Sequence, residues 1–218
     1  MKSAVICTGP TGVGKSEFAI QYALTQAPCY LADLDVLNPY FRPREVYAWL
    51  LERGVTVIGN NTGNSTNADL PGLSGDVGSY IGRGDKVVVD LAGSIAGTHP
   101  LTLFQDVLDR CEVWLVINLM RDESSIDEAR TFILDLKHQG LNVTGLVHNT
   151  HLLDQTEIEL LRKANHEVEE FSKQVNIPII FTMLDARFMV DLRHEINSTI
   201  LAVDSWVMRK EWMKGDSR

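Results

Sequence analysis

The chain has 218 residues, 44% of them hydrophobic and 22% charged, which suits one soluble α/β domain with a sizeable core. Its formal net charge of -9 gives no general attraction to nucleic acid or anionic membrane, because phosphate binding needs an excess of Lys and Arg. No apolar run approaches the ~20 residues of a membrane span, and "MKSAVICTG" is too short an apolar stretch for a secretion signal.

Short apolar runs alternate with longer helical patterns along the chain. Ser3–Thr8 is predicted as a buried strand, followed by a helix from Lys15 to about Ala27 with Phe18, Ala19, Tyr22 and Ala23 on one face. Cys29–Asp35 is a second strand ending in two aspartates. "RPREVYAWLLERG" is a helix with Pro43 in its first turn and Gly54 as its stop, and Val55–Gly59 is a strand. Gly59–Gly78 is rich in Gly, Asn and Ser, which predicts a long exposed loop, mobile without a partner.

Asp85–Gly93 carries three valines and ends as a strand at Asp90. His99 to about Arg110 is predicted helical, and Cys111–Met120 is a strand. Ser125 with Glu128 forms a capping box for a helix that stops at Gly140. Leu141–Thr150 is a strand. Asp154 with Glu157 is expected to cap the next helix, striped by Leu161, Ala164, Val168, Phe171 and Val175. Ile177–Met183 reads as the last of about seven strands. A C-terminal helix then carries Leu192, Ile196, Ile200, Val203 and Val207. Strands apolar on both faces, alternating with amphipathic helices, predict a mostly parallel sheet covered by helices on both sides, in a single domain over residues 1–218. Cys7, Cys29 and Cys111 are widely spaced, with no Cys-x-x-Cys, and read as core thiols of a cytoplasmic protein.

The chemistry concentrates in "GPTGVGKS", Gly9 to Ser16. It matches the phosphate-binding loop G-x-x-x-x-G-K-[ST] and stands where that loop belongs, after a strand and before a helix. Gly12 and Gly14 leave backbone N–H groups free to wrap β- and γ-phosphates, and the helix N-terminus adds its positive end. Lys15 neutralises phosphate charge and Ser16 offers a hydroxyl to Mg²⁺. Nucleotide contacts are therefore expected from Gly9, Thr11, Gly12, Val13, Gly14, Lys15, Ser16 and Glu17. Asp90, ending "KVVVD", is the carboxylate expected on the Mg²⁺ side, and Asp33 and Asp35 add carboxylates at the same sheet edge.

Together, "GPTGVGKS", "YLADLD", "VVVDLAG" and "GLVHNT" resemble the MinD/ParA/nitrogenase-iron-protein group of P-loop ATPases, the SIMIBI class. "DLDVLNPYFRPRE", "INLMRDESSID" and "VTGLVHNTHL" are closer still to a bacterial subgroup of small CobQ/ParA-like nucleotide-binding proteins. The resemblance covers nearly the whole chain. It implies ATP or ADP with Mg²⁺, slow hydrolysis as a nucleotide-dependent switch, and a homodimer or a protein partner. It implies that Asp33 or Asp35 positions the attacking water, with Asp35 also near the metal. Asn149 would read the adenine edge, and the backbone near Thr182–Asp185 would flank the base. Many members of the group carry an early lysine, K-G-G-x-G-K, that reaches a dimer partner's phosphates. Here Pro10 stands at that position, so Arg42, Arg44 or Arg121 is expected to supply the charge, with Arg42 first.

Three other readings remain open. The P-loop wording also resembles tRNA dimethylallyltransferases, though the "ADS" segment is replaced by "ADLDVLNPYF" and the chain is acidic for a tRNA binder. A small-molecule kinase needs a basic lid over the phosphates, and Gly59–Gly78 contains no Arg or Lys. The third reading is a sensor that binds ATP without turnover. His148 and His151 form H-x-x-H, read as a loop pair flanking the nucleotide and not as a metal site.

Overall fold

The computed structural model describes residues 2–35, 43–59, 74–94, 101, 105–120 and 125–208. The chain runs β1 (Ala4–Thr8), α1 (Lys15–Gln26) and β2 (Cys29–Asp33), then a 3-10 turn (Pro43–Val46) into α2 (Tyr47–Leu51) and β3 (Val55–Gly59). It continues with α3 (Ser74–Arg83), β4 (Val87–Asp90), β5 (Cys111–Ile117), α4 (Ile126–His138) and β6 (Gly145–His148). It closes with α5 (Ile158–Val175), β7 (Ile179–Asp185), α6 (Met189–Leu192) and β8 (Thr199–Val203). All strand pairs are parallel, in the order β3-β2-β4-β1-β5-β6-β7-β8. The expected α/β sheet with helices on both faces is the one observed.

Alternation along each strand divides the core in two. Ala4, Ile6, Val87, Val89 and Leu115 face one side, where Val77 and Ile81 of α3, Phe132 of α4 and Phe171 of α5 cover them. Val5, Cys7, Val88 and Val116 face the other, under Phe18 and Ala19 of α1 and Leu50 of α2. Burying Phe18 completely contributes roughly 2–3 kcal/mol. Its ring belongs to an aromatic cluster, with Tyr22 and Trp114 centroids 4.9 Å apart and Trp114 and Phe181 centroids 5.5 Å apart. This packing fixes α1, and so the loop in front of it, against the sheet. The three cysteines are free and buried, as expected. Among the described residues no helix is long and apolar enough to cross a membrane.

Several elements differ from the sequence reading. The C-terminal helix is absent: α6 has four residues, and Ile200 and Val203 belong to β8, an eighth strand. "TILAV" holds β-branched residues, and pairing along the whole of β8, from Phe181↔Thr199 to Asp185↔Val203, outweighs a helical spacing of apolar residues. The expected loop at Gly59–Gly78 gives way to α3 from Ser74, where Val77 and Ile81 supply a buried stripe; residues 60–73 lie outside the described residues. Residues 105–110 form 3-10 turns and not an α-helix. The Ser125–Glu128 capping box is present, with Ser125 N–H donating to Glu128 Oε2 at 2.8 Å. The expected Asp154–Glu157 cap is not. There Thr156 closes a 3-10 turn by accepting from Leu152 N and donating to the Leu153 carbonyl, and α5 starts without a side-chain cap.

Candidate functional site

From β1 the sheet extends to β4, β2 and β3 on one side and to β5 through β8 on the other. The P-loop leaves β1 at the point where the strand order changes direction, the usual ligand crevice of open α/β sheets. Register then gathers the carboxylates. Cys7 pairs with Asp90 and Asp33 pairs with Asp90, while Leu91 N donates to the Cys7 carbonyl and Leu34 N to the Asp90 carbonyl. Gly14 caps α1 at φ 90°, and a side chain there would collide with Asn149 Nδ2. That amide donates to the Val13 carbonyl at 2.8 Å, tying the P-loop to the end of β6.

Lys15 is nearly buried and donates to the Pro10 carbonyl at 2.9 Å. Burial lowers its pKa, while Asp90 and Asp35 oppose that effect. Burial pushes Asp90 up to about 7; the Ser16 hydroxyl and Lys15 pull it back, and Asp33 and Asp35 push it further. The Ser16 hydroxyl faces this carboxylate, and neither Asp90 oxygen meets hydrogen-bond geometry with a partner among the described residues. A buried carboxylate so placed beside a P-loop serine fits Mg²⁺ or its water shell. Among the described residues no three His, Cys, Asp or Glu side chains are arranged to hold a metal alone. Mg²⁺ does not require them, because it keeps several waters and takes phosphate oxygens.

Of the expected nucleotide residues, Thr11 and Gly12 are exposed, Gly9 and Val13 are buried, and Ser16 is half-buried. Gly93, which the sequence reading passed over, approaches Thr11 N and Lys15 Nζ so closely that a Cβ there would lie 2.7 Å from each. Its place in Asp90-Leu91-Ala92-Gly93 was the signal that could have found it. Glu17 is drawn elsewhere. Its carboxylate accepts from Val207 N at 2.9 Å, Met208 N at 2.8 Å and Gln21 Nε2 at 2.8 Å, strapping the C-terminal segment onto α1. Trp206 in that strap stacks on His151 at 4.3 Å, and both line a small hollow beside Gly12 and Gly14. Arg42 and Arg121 lie outside the described residues, as does the side chain of Arg44.

The two histidines of H-x-x-H separate. His151 faces the P-loop hollow, but His148 lies buried at the end of β6 and lines a different cavity. Burial lowers the His148 pKa to about 4, opposed by nearby Asn165. In the unfolded chain the ring takes a proton near ~6.5. Between those values the unfolded state binds more protons, so this residue lowers stability as pH falls, by roughly 2 kcal/mol from pH 6.5 to 5. Asp90 acts in the opposite sense over part of the same range, because folding raises its pKa from 3.8 to about 7. The informative quantity is therefore the difference between proteins: His148→Gln is expected to lose less stability than wild type between pH 7 and pH 5 in urea unfolding. Equal losses would contradict the buried neutral ring.

No family model matches the chain, and no curated protein matches it in sequence. Solved structures do. FtsY from Mycoplasma mycoides is 18% identical with a TM-score of 0.53, the match covering 81% of this chain and 59% of that one. The signal recognition particle receptor FtsY from Elizabethkingia anophelis, in complex with GDP, is 19% identical with a TM-score of 0.54, covering 82% and 56%. Chloroplast FtsY from Physcomitrella patens is 17% identical with a TM-score of 0.51, covering 82% and 57%. The chain spans less than two thirds of the length of these structures. The likeness shows the fold: an α/β protein of the P-loop NTPase type, as expected. These neighbours are FtsY proteins, outside the narrower MinD/ParA group that the sequence resembles.

Proposed function

We propose that this chain binds ATP with Mg²⁺ at Gly9–Ser16 and hydrolyses it slowly, as a nucleotide-dependent switch in the cytoplasm. The observation that carries the reading is the buried Asp90 carboxylate, facing Ser16 and Lys15 under a P-loop and meeting hydrogen-bond geometry with no partner among the described residues. Lys15 leaves the Pro10 carbonyl to neutralise phosphate charge. Ser16 and Asp90, with Asp35 behind them, hold the metal and its waters. Bound Mg²⁺ supplies charge neutralisation on the phosphate oxygens. Asp33 or Asp35 orients the attacking water. Pro10 supplies neither an N–H nor a charge. Turnover in isolation is therefore slow, and Arg42 is the residue we assign to deliver charge when a partner or second subunit binds.

Adenine preference is supported by Asn149. Its Nδ2 must face the Val13 carbonyl, which only accepts, so the amide's remaining group is the acceptor Oδ1, which has no partner. Adenine presents an amino donor at position 6, where guanine presents an acceptor. "NTHLLD" also lacks the lysine of the guanine-reading N-K-x-D motif. The GDP complex of one FtsY neighbour favours guanine as the second reading. Competition calorimetry with Mg²⁺ separates them: ATP is expected to bind at least about tenfold tighter than GTP, the scale of one good base contact. A GTP preference would overturn the base assignment, and binding of neither would overturn the whole reading.

A further inference from the structure

A second cavity, of about 90 Å³, opens between α5, α6 and the ends of β6 and β7, and shares no lining residue with the hollow beside the P-loop. Leu161, Leu184 and Leu192 give it an apolar wall. His148 lies on its other side, 2% exposed, near the Asn165 amide, and neither ring nitrogen meets hydrogen-bond geometry with a partner among the described residues. A neutral imidazole carries one donor and one acceptor, and leaving both unmade in the interior is costly.

Two of the neighbouring polar groups have other partners, although Asn165 also stands close enough to act on the ring. Thr182 Oγ1 shares a 2.7 Å hydrogen bond with Ser198, and the Asn165 amide donates to Glu169 at 3.3 Å. Arg162, at the rim, pairs with Glu159 at 2.6 Å and Glu195 at 2.8 Å. A single water needs only about 10–15 Å³ of such space and would leave the leucine wall unused.

We propose that this cavity is a second ligand site, taking a small uncharged molecule with an apolar body and one hydroxyl or amide head that pairs with His148. The apolar body meets the leucines. The head is uncharged because Arg162 is already paired with Glu159 and Glu195, Glu169 already accepts from the Asn165 and Asn197 amides, and a charge set against the leucine wall and the neutral ring would go unpaired. The site uses none of the P-loop residues, although Thr182, Met183 and Leu184 in its wall belong to the segment expected to flank the base.

The test is titration of the full chain with benzamide, followed through the His148 ring nitrogens by NMR, with His148→Gln assigning the signals. Benzoate serves as the charged counterpart of the same shape. Saturable shifts with benzamide are expected, at a dissociation constant on the order of 1 mM for so small a ligand, with benzoate at least about tenfold weaker. Ile196→Trp fills the cavity from the opposite wall and should abolish the response while ATP binding is unchanged. His148→Phe, read by benzamide calorimetry, replaces it if that variant does not fold. Absence of saturable shifts, or benzamide binding that survives filling of the cavity, would overturn the site. Benzoate binding as tightly as benzamide would overturn the ligand class.

Discussion

Lys15→Ala is expected to weaken ATP binding by a factor on the order of 10²–10³ while leaving the fold as stable as wild type to within about 1 kcal/mol. The ammonium is nearly buried and rests on one carbonyl, that of Pro10, at 2.9 Å. Burial lowers its pKa, so the ligand-free protein holds a poorly solvated charge. A triphosphate meets that charge with opposite charge. A charge-assisted hydrogen bond is worth about 1.5–3 kcal/mol. Neutralisation between Asp90, Asp35 and the phosphates adds to it, and each 1.4 kcal/mol is tenfold. Alanine loses all of this. It gives up little in the ligand-free state, because the cost of burying the cation goes with it and Asp90, already pushed up to about 7, can take a proton in place of its lost counter-charge. Calorimetry with Mg²⁺-ATP gives the first number and urea unfolding the second. Equal affinities would remove Lys15 from the phosphate site. A loss of several kcal/mol in stability would mean that the lysine is structural.

Gly9→Ala is expected to destabilise the protein by roughly 3–5 kcal/mol and to carry nucleotide binding down with it. Gly9 sits at φ 144°, outside the range that side chains accept readily, and a Cβ there would lie 2.5 Å from the Val116 carbonyl oxygen. That oxygen belongs to β5, hydrogen-bonded on both sides within the sheet, so it cannot retreat as a flexible side chain would. Strained backbone costs about 1–3 kcal/mol, and overpacking adds a similar amount. Gly12→Ala is the control. Nothing stands within 4 Å of its Cβ position, so only the φ of 82° is penalised. Urea unfolding of the two variants should differ by about 2 kcal/mol or more. Equal stabilities would mean that the P-loop does not rest on β5 as closely as described.

Much of the site was legible because its residues answer to local rules. A P-loop is a strand, a glycine turn and a helix start in sequence, so "GPTGVGKS" displays its whole geometry in eight letters. Asp90 and Asp33 were legible for a similar reason: each ends an apolar strand, and strand ends of a parallel sheet share one edge. The parts that escaped depend on which strands become neighbours. Asn149 and Val13 are 136 residues apart, and no local pattern announces that the amide holds the loop carbonyl. Glu17 lies 190 residues from Val207, and nothing around Glu17 distinguishes a residue facing the nucleotide from one clamping the C-terminal strap.

The sequence by itself determined the α/β class, the P-loop, the capping box of α4 and the edge at which the carboxylates would stand. Each of these rests on periodicity or on interactions within a few residues. Only the tertiary structure decided that Thr199–Val203 is a strand, since apolar spacing alone also fitted a helix until β7 offered a parallel partner. It also decided that His148 and His151 part company. Three residues apart in sequence, they leave the end of β6 in different directions, one into the inner wall of the second cavity and the other onto Trp206 beside the P-loop. A strand's end fixes where its chain stops, but the packing of α5 and the C-terminal strap around that end fixes what each side chain meets.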